Sequence, residues 1–218
     1  MINKTAFLFD LNGTMIDDMS YHIRAWHRIL NELGANLSME RMKEECYGKN
    51  QELLERIFPA RFSEEEKTRM ILEKEKQYQA EFKPHLQLLP GLAGFLEKAH
   101  SAGIKMAIGS AAIMFNIDFV LDNLKIRHYF DALISADDVS KSKPDPETFL
   151  KCAEQLNIFP TDCIVFEDAP KGVESAGNAG MKTVVLTTMH TKEEFAAYSN
   201  IVAFVKDFRD TGLDFLFK

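Results

Sequence analysis

Asp10 and Asn12 stand two residues apart where the apolar run Ala6-Phe7-Leu8-Phe9 gives way to Gly13 and Thr14. An aspartate at the carboxyl end of a buried strand lies where open parallel sheets bind ligands. The plainer reading is an aspartate capping a turn, with Asn-Gly as loop punctuation. Three later stretches have the same form. Gly109-Ser110-Ala111 follows the apolar residues from Ile104 to Ile108. A small hydroxyl with backbone amides at such a turn suits an anion, although Gly-Ser turns are common. Lys143 is followed by Pro144 and Pro146 just before a helix. A lysine fixed in that way offers a point charge to a phosphate, against the alternative of an ordinary solvated lysine. Glu167 and Asp168 follow the apolar stretch from Cys163 to Phe166. Two adjacent carboxylates there are costly unless paired or metal-bound. With Asp10 they would form a hard oxygen site suited to Mg²⁺. The alternative is a helix-capping Asp168 beside an exposed Glu167.

The elements that must position these residues follow from periodicity. A first strand spans Thr5 to Phe9. From residue 17 to 83 the pattern is helical: Tyr21, Ile23, Trp26, Ile29, Leu30 and Leu33 mark one helix, closed by Gly34. Short helices begin near Ser38 and at Asn50, and a long one runs from Ser63, an N-cap followed by three glutamates, to about Phe82. After Pro84 and Pro90 strands alternate with helices. Helices are expected over 91–102, 112–124, 146–156 and 172–179, with strands over 104–109, 133–135, 163–166, 183–186 and 201–205. This predicts an α/β fold: a Rossmann-like parallel-sheet core domain (1–16 and 84–218) with a helical domain (17–83) inserted after the first strand.

Composition narrows the partners. A chain of 218 residues, 46% hydrophobic, carries enough apolar material for a core without disulfides or structural metal. A formal net charge of −7 argues against nucleic acid, although a local pocket for an anion can still be positive. Three widely spaced cysteines fit reduced thiols in the cytoplasm. No apolar run reaches the roughly 18 residues of a membrane span, and the amino terminus has no signal-peptide profile. A cytoplasmic monomer with no membrane partner is the expectation. His27, His85, His100, His128 and His190 show no metal-ligand spacing.

Together the four strand ends and the helical insertion resemble the haloacid dehalogenase superfamily, over essentially the whole chain. The Tyr21-His22-Ile23-Arg24-Ala25-Trp26 segment resembles its β-phosphoglucomutase-like subgroup. The resemblance implies a helical cap domain and a phosphatase or phosphomutase acting on a small phosphorylated metabolite. By that resemblance Asp10 attacks phosphorus to form an aspartyl-phosphate, which water or a second acceptor removes. Mg²⁺ would be held by Asp10, Asp168 and the backbone carbonyl of Asn12, with Glu167 at or near the ion. Ser110, Lys143 and the turn residues Leu11, Thr14 and Ala111 would hold the phosphoryl oxygens.

Two positions depart from the pattern. The family has Asp where this chain has Asn12, as general acid and base. An amide can do neither, and losing such help costs about 10²- to 10⁴-fold in rate. Asn12 therefore marks an engineered substitution that traps a complex, a naturally slow enzyme, or a phosphate-binding protein without turnover. The intact remaining motifs favour the first. In the cap, Gln51 stands where β-phosphoglucomutase-like proteins carry an arginine for a second phosphate, and Gln lacks that charge. This favours a phosphatase over a mutase. Lys49 and Lys74 are the expected compensating cations, and His22 is expected to position substrate or the acid–base residue. The linkers near 15–18 and 83–90 are expected to let the cap open and close.

Overall fold

A computed structural model of the chain describes residues 5–217. The described residues divide into two compact units, one running to Asp17 and resuming at Gln87, the other spanning Asp18–Leu86. The second boundary falls later than the sequence suggests, because the 3₁₀ turn Lys83–His85 extends the long helix before the chain leaves the unit.

In the first unit six parallel strands form one sheet: β1 (Ala6–Phe9), β2 (Lys105–Gly109), β3 (Ala132–Ile134), β4 (Cys163–Glu167), β5 (Lys182–Leu186) and β6 (Ile201–Val205). The order is β3-β2-β1-β4-β5-β6, so the chain reverses its direction of sheet growth between β1 and β4. A crevice at such a reversal is where open α/β sheets place ligands. Side chains alternate across β1 with the period of a strand. Ala6 and Leu8 join Phe149, Cys152, Leu156 and Val165 on one face. Phe7 and Phe9 join Phe95, Phe166 and Phe208 in an aromatic layer on the other, where the Phe9 and Phe166 rings stack at 4.7 Å. Both faces of β1 are dry, and each buried Phe is worth about 1.5–3 kcal/mol. The strand end that carries Asp10 is therefore rigid.

The second unit is built from four helices: α1 (Met19–Glu32), α2 (Met39–Glu45), α3 (Asn50–Ile57) and α4 (Glu64–Phe82). Ser38 accepts from the Arg41 N–H at the start of α2. Ser63 and Glu66 cap α4 reciprocally, as the acidic first turn suggests. Four longer helices flank the sheet: α5 (Leu92–Ser101), α6 (Met114–Leu124), α7 (Glu147–Leu156) and α8 (Pro170–Asn178). The last begins two residues earlier than periodicity indicates, because Pro170 has the fixed φ of a first helical residue rather than acting as a breaker. No helix of the described residues is long and apolar enough to cross a membrane.

Candidate active site

Strand register assembles the site. Phe9 lies level with Ile108 of β2 and Phe166 of β4, so the next residue on each strand, Asp10, Gly109 and Glu167, falls in one row at the carboxyl edge. Ser110 and Asp168 come one step further on. All four strand-end motifs of the sequence thus meet in the sheet unit, since Lys143 reaches the same row from the loop before α7.

Lys143 is buried and donates to Asp10 Oδ1 at 2.6 Å and to Glu167 Oε1 at 2.8 Å. Burial works against its charge, but the Asp10 and Glu167 carboxylates outweigh burial and hold the ammonium above the ordinary lysine range. It is a fixed cation rather than a proton donor. The solvated-lysine alternative does not hold.

Glu167 is held by protein donors on both oxygens. Its Oε2 accepts from the Asp168 and Ala169 N–H groups at 2.7 and 2.8 Å, while Oε1 accepts from Lys143. Both oxygens face protein donors, so Glu167 anchors Lys143 and the turn that presents Asp168. It is also buried, which removes the exposed-glutamate alternative. Asp168 Oδ1 accepts from the Thr14 hydroxyl at 3.1 Å. Burial, with Glu167 and Asp10 adding repulsion, raises the Asp168 pKa well above the usual carboxylate range. Thr14 therefore orients a candidate metal ligand, a role beyond the phosphate contact expected of it. At the Ser110 turn the Ser110 N–H donates to Ile134 O and the Ala112 N–H to Ser110 Oγ, with the Ala111 amide between them. Leu11 is buried, and its carbonyl accepts from Met15 and Ile16, which closes the loop that holds Asn12.

Two glycines make this packing possible. A Cβ on Gly13, at φ +78°, would fall 2.1 Å from Asp168 Oδ2, and one on Gly172 would fall 1.7 Å from Glu167 Oε1. Thr188 holds the Gly13 carbonyl through its hydroxyl at 2.7 Å. In the sequence Gly13 reads as a turn residue and Gly172 as a helix start, while nothing marks Thr188. The short interval from Glu167-Asp168 to Gly172 is the one signal that could have flagged a close approach.

A magnesium ion suits this donor set. Among the described residues no three His, Cys, Asp or Glu side chains group as a metal cluster. Mg²⁺ does not need one, because it takes one or two carboxylates and keeps several waters. Asp10, Glu167 and Asp168 are three buried carboxyl groups, and Lys143 is ion-paired with two of them, a local excess of negative charge that a divalent ion would correct.

In the helical unit His22 and Lys74 meet each other. Lys74 is 1% exposed, and its ammonium donates to Glu75 Oε1 at 2.9 Å, Glu75 Oε2 at 3.0 Å and His22 Nδ1 at 2.6 Å. Those contacts use its three hydrogens, so Lys74, expected to meet substrate, serves the interior of its own unit. Because Lys74 can only donate, Nδ1 accepts, and the His22 proton sits on Nε2 facing Asp18 Oδ2 at 3.2 Å. Tyr78 stacks on the imidazole at 3.8 Å and donates to the same Asp18 oxygen. Trp26 is buried and donates to Asn50 Oδ1, while Asn50 donates to Glu75. Lys49 is half-buried at the start of α3, with its N–H on Glu52 Oε2.

The comparisons with known proteins bear on what this site does. The family model for haloacid dehalogenase-like hydrolases matches residues 7–186. The chain belongs to that family. It is 30% identical to a fructose-1-phosphate phosphatase of Escherichia coli, over 82% of this chain and 94% of that protein. It is 32% identical to β-phosphoglucomutase of Bacillus subtilis, over 82% and 81%. The crystal structure of β-phosphoglucomutase from Clostridium difficile superposes with a TM-score of 0.85 at 30% identity, covering 99% of this chain and 96% of that one. The chain is thus a β-phosphoglucomutase-like member, an enzyme of the phosphatase and phosphomutase type, with the parallel α/β fold of its neighbours.

Proposed function

We propose that this enzyme is a Mg²⁺-dependent phosphatase of a small phosphate ester, a sugar phosphate in particular, working through an aspartyl-phosphate on Asp10. The observation that carries the reading is the ion pair of Lys143 with Asp10 at the strand row that also presents Asp168. Asp10 is held as a carboxylate, rigid and oriented, and its oxygen attacks phosphorus as the ester oxygen leaves. Lys143, the Ser110 hydroxyl and the turn amides of Leu11, Thr14 and Ala111 bind the phosphoryl oxygens. Asp10, Asp168 and the Asn12 carbonyl would hold the magnesium, which when bound neutralises charge on those oxygens. Thr14 and Glu167 keep Asp168 in place.

The relatives that act on sugar phosphates support that substrate class, and Gln51 favours hydrolysis over mutation, since an uncharged amide gives poor hold on a second phosphate. The helical unit acts as the cap in this reading, with Lys49 as its contribution to substrate choice. Three free cysteines fit a reducing, cytoplasmic setting. The test is a screen of phosphate release and hexose-phosphate isomerisation, with and without Mg²⁺, by this chain and by Asn12→Asp. Metal-dependent phosphate release that rises in the variant supports the phosphatase. Isomerisation without release gives the mutase, and no reaction in either protein gives a phosphate-binding protein.

A further inference from the structure

The Lys143 ammonium is held by Asp10 and Glu167, and the backbone that carries it is held separately, by α8. Pro144 and Pro146 have no N–H, so two of the five residues from Ser142 to Pro146 cannot donate from the backbone. The Asp145 N–H closes a turn on Ser142 O at 3.0 Å, and Asp145 Oδ1 accepts from the Glu147 N–H. Two successive carbonyls of the stretch are then taken by side chains of α8. Ser175 Oγ donates to Asp145 O at 2.8 Å, and Asn178 Nδ2 donates to Pro144 O at 3.0 Å. These donors stand three positions apart, on one face of the helix. Ser175 is fully buried, and serine is a poorer helix former than alanine, so helix propensity does not account for it.

The helix is itself fixed to the strand row. Glu167 Oε2 accepts from the Asp168 and Ala169 N–H groups just before Pro170, and the Glu167 carboxylate lies against Gly172 in the first turn of α8. Glu167 Oε1 accepts from Lys143, so the contacts close a ring. It runs from the ammonium to Glu167, along α8 to Ser175, across to Asp145, and back to Lys143 through the chain. We propose that Ser175 is a positioning residue for Lys143, supported by Asn178. Ser175 acts on phosphoryl transfer only through Lys143, so its role rests on the reading above that Lys143 binds phosphoryl oxygens. A lysine side chain has many rotamers, and fixing it at both ends removes most of them before a phosphate arrives. Misplacement of about 1 Å by a distant change can cost about 10²-fold, so the Ser175 hydrogen bond is felt at the phosphoryl site.

The experiment compares the full chain with Ser175→Ala, Asn178→Ala, Lys143→Met and the double variant Ser175→Ala with Lys143→Met. It reads the melting temperature, the affinity for inorganic phosphate with MgCl₂ present, and the NMR signal of the Lys143 ammonium in ¹⁵N-lysine-labelled protein. Absence from Lys143→Met assigns that signal. Ser175→Ala should keep a cooperative melt, shift or broaden the Lys143 signal, and weaken phosphate binding about two- to tenfold, the scale of one hydrogen bond. In the Lys143→Met background it should weaken phosphate binding no further. Asn178→Ala removes an exposed hydrogen bond and should move the same signal, which keeps the test open if Ser175→Ala folds poorly. An unaltered Lys143 signal in both single variants would overturn the proposal. An equal loss of phosphate affinity with and without the Lys143 side chain would also overturn it, since Ser175 would then act on the fold alone. Unchanged phosphate affinity in Lys143→Met would instead overturn Lys143 as a phosphoryl ligand, while the ammonium signal still decides whether Ser175 positions it.

Discussion

Glu167 and Gly172 show how closely single residues limit this site. The Glu167 carboxylate fills the space a Cβ on Gly172 would need, at 1.7 Å. Gly172→Ala must displace a side chain that holds Lys143 and two backbone amides, and overpacking of this kind costs about 1–3 kcal/mol. A lowered melting temperature together with lost turnover is expected. Gly94 is the control: it is exposed in α5 with nothing within 4 Å of an added Cβ. Gly94→Ala should leave turnover unchanged and stabilise by up to about 1 kcal/mol, read by the same melting experiment. Lys143→Met leaves Asp10 and Glu167 without their cation. The loss should reach about 10²-fold or more in kcat, the scale of removing one preorganised transition-state donor, and steady-state kinetics on a metal-loaded sample checks it.

At the scale of elements, the buried polar cluster joining α1 to α4 is the feature with most at stake. Asp18, His22, Lys74, Glu75 and Tyr78 hydrogen-bond to one another inside the helical unit. Removing one member strands another: Lys74→Met leaves the Glu75 carboxylate buried, a cost of about 3–5 kcal/mol. The paired change Lys74→Met with Glu75→Gln should recover about 0.5–3 kcal/mol of that, as a double-mutant cycle by denaturant unfolding would show. The mutual pairing in this cluster was not legible in the sequence. Lys74 reads as a cation for substrate on the long helix, whereas its ammonium meets His22, fifty-two positions away. The strand ends were legible because each pairs a dry apolar run with a reactive residue at its edge, a local signal that survives without tertiary knowledge. The anchoring bonds from Glu167, and the Thr14 hydrogen bond to Asp168 across 154 positions, could not be read in that way. Asn12 was legible only as a departure from a pattern, since its consequence lies in what an amide lacks.

For the whole molecule, the buried carboxyl groups link fold stability to pH, and would link it to a metal bound among them. Burial and the Glu167 and Asp10 charges raise the Asp168 pKa above its value in the unfolded chain. The folded metal-free protein therefore holds a proton that the unfolded chain has already released. Its stability falls as pH rises from the ordinary carboxylate range through the raised Asp168 value. Magnesium bound there would replace that proton, so its affinity should rise over the same interval. Thermal melts with and without MgCl₂ across a pH series measure both, and at about a hundredfold excess over Kd the metal should add about 2.7 kcal/mol. A magnesium shift equal at every pH would count against Asp168 as its ligand.

The proposed chemistry has Asp10 as a nucleophile whose acid–base partner is missing at Asn12. The most direct measurement is kcat/KM for a sugar monophosphate, with saturating Mg²⁺, in this chain and in Asn12→Asp. An increase of about 10²- to 10⁴-fold in the variant is the predicted result. Equal values, in an Asn12→Asp protein that folds and melts as the parent does, would contradict it.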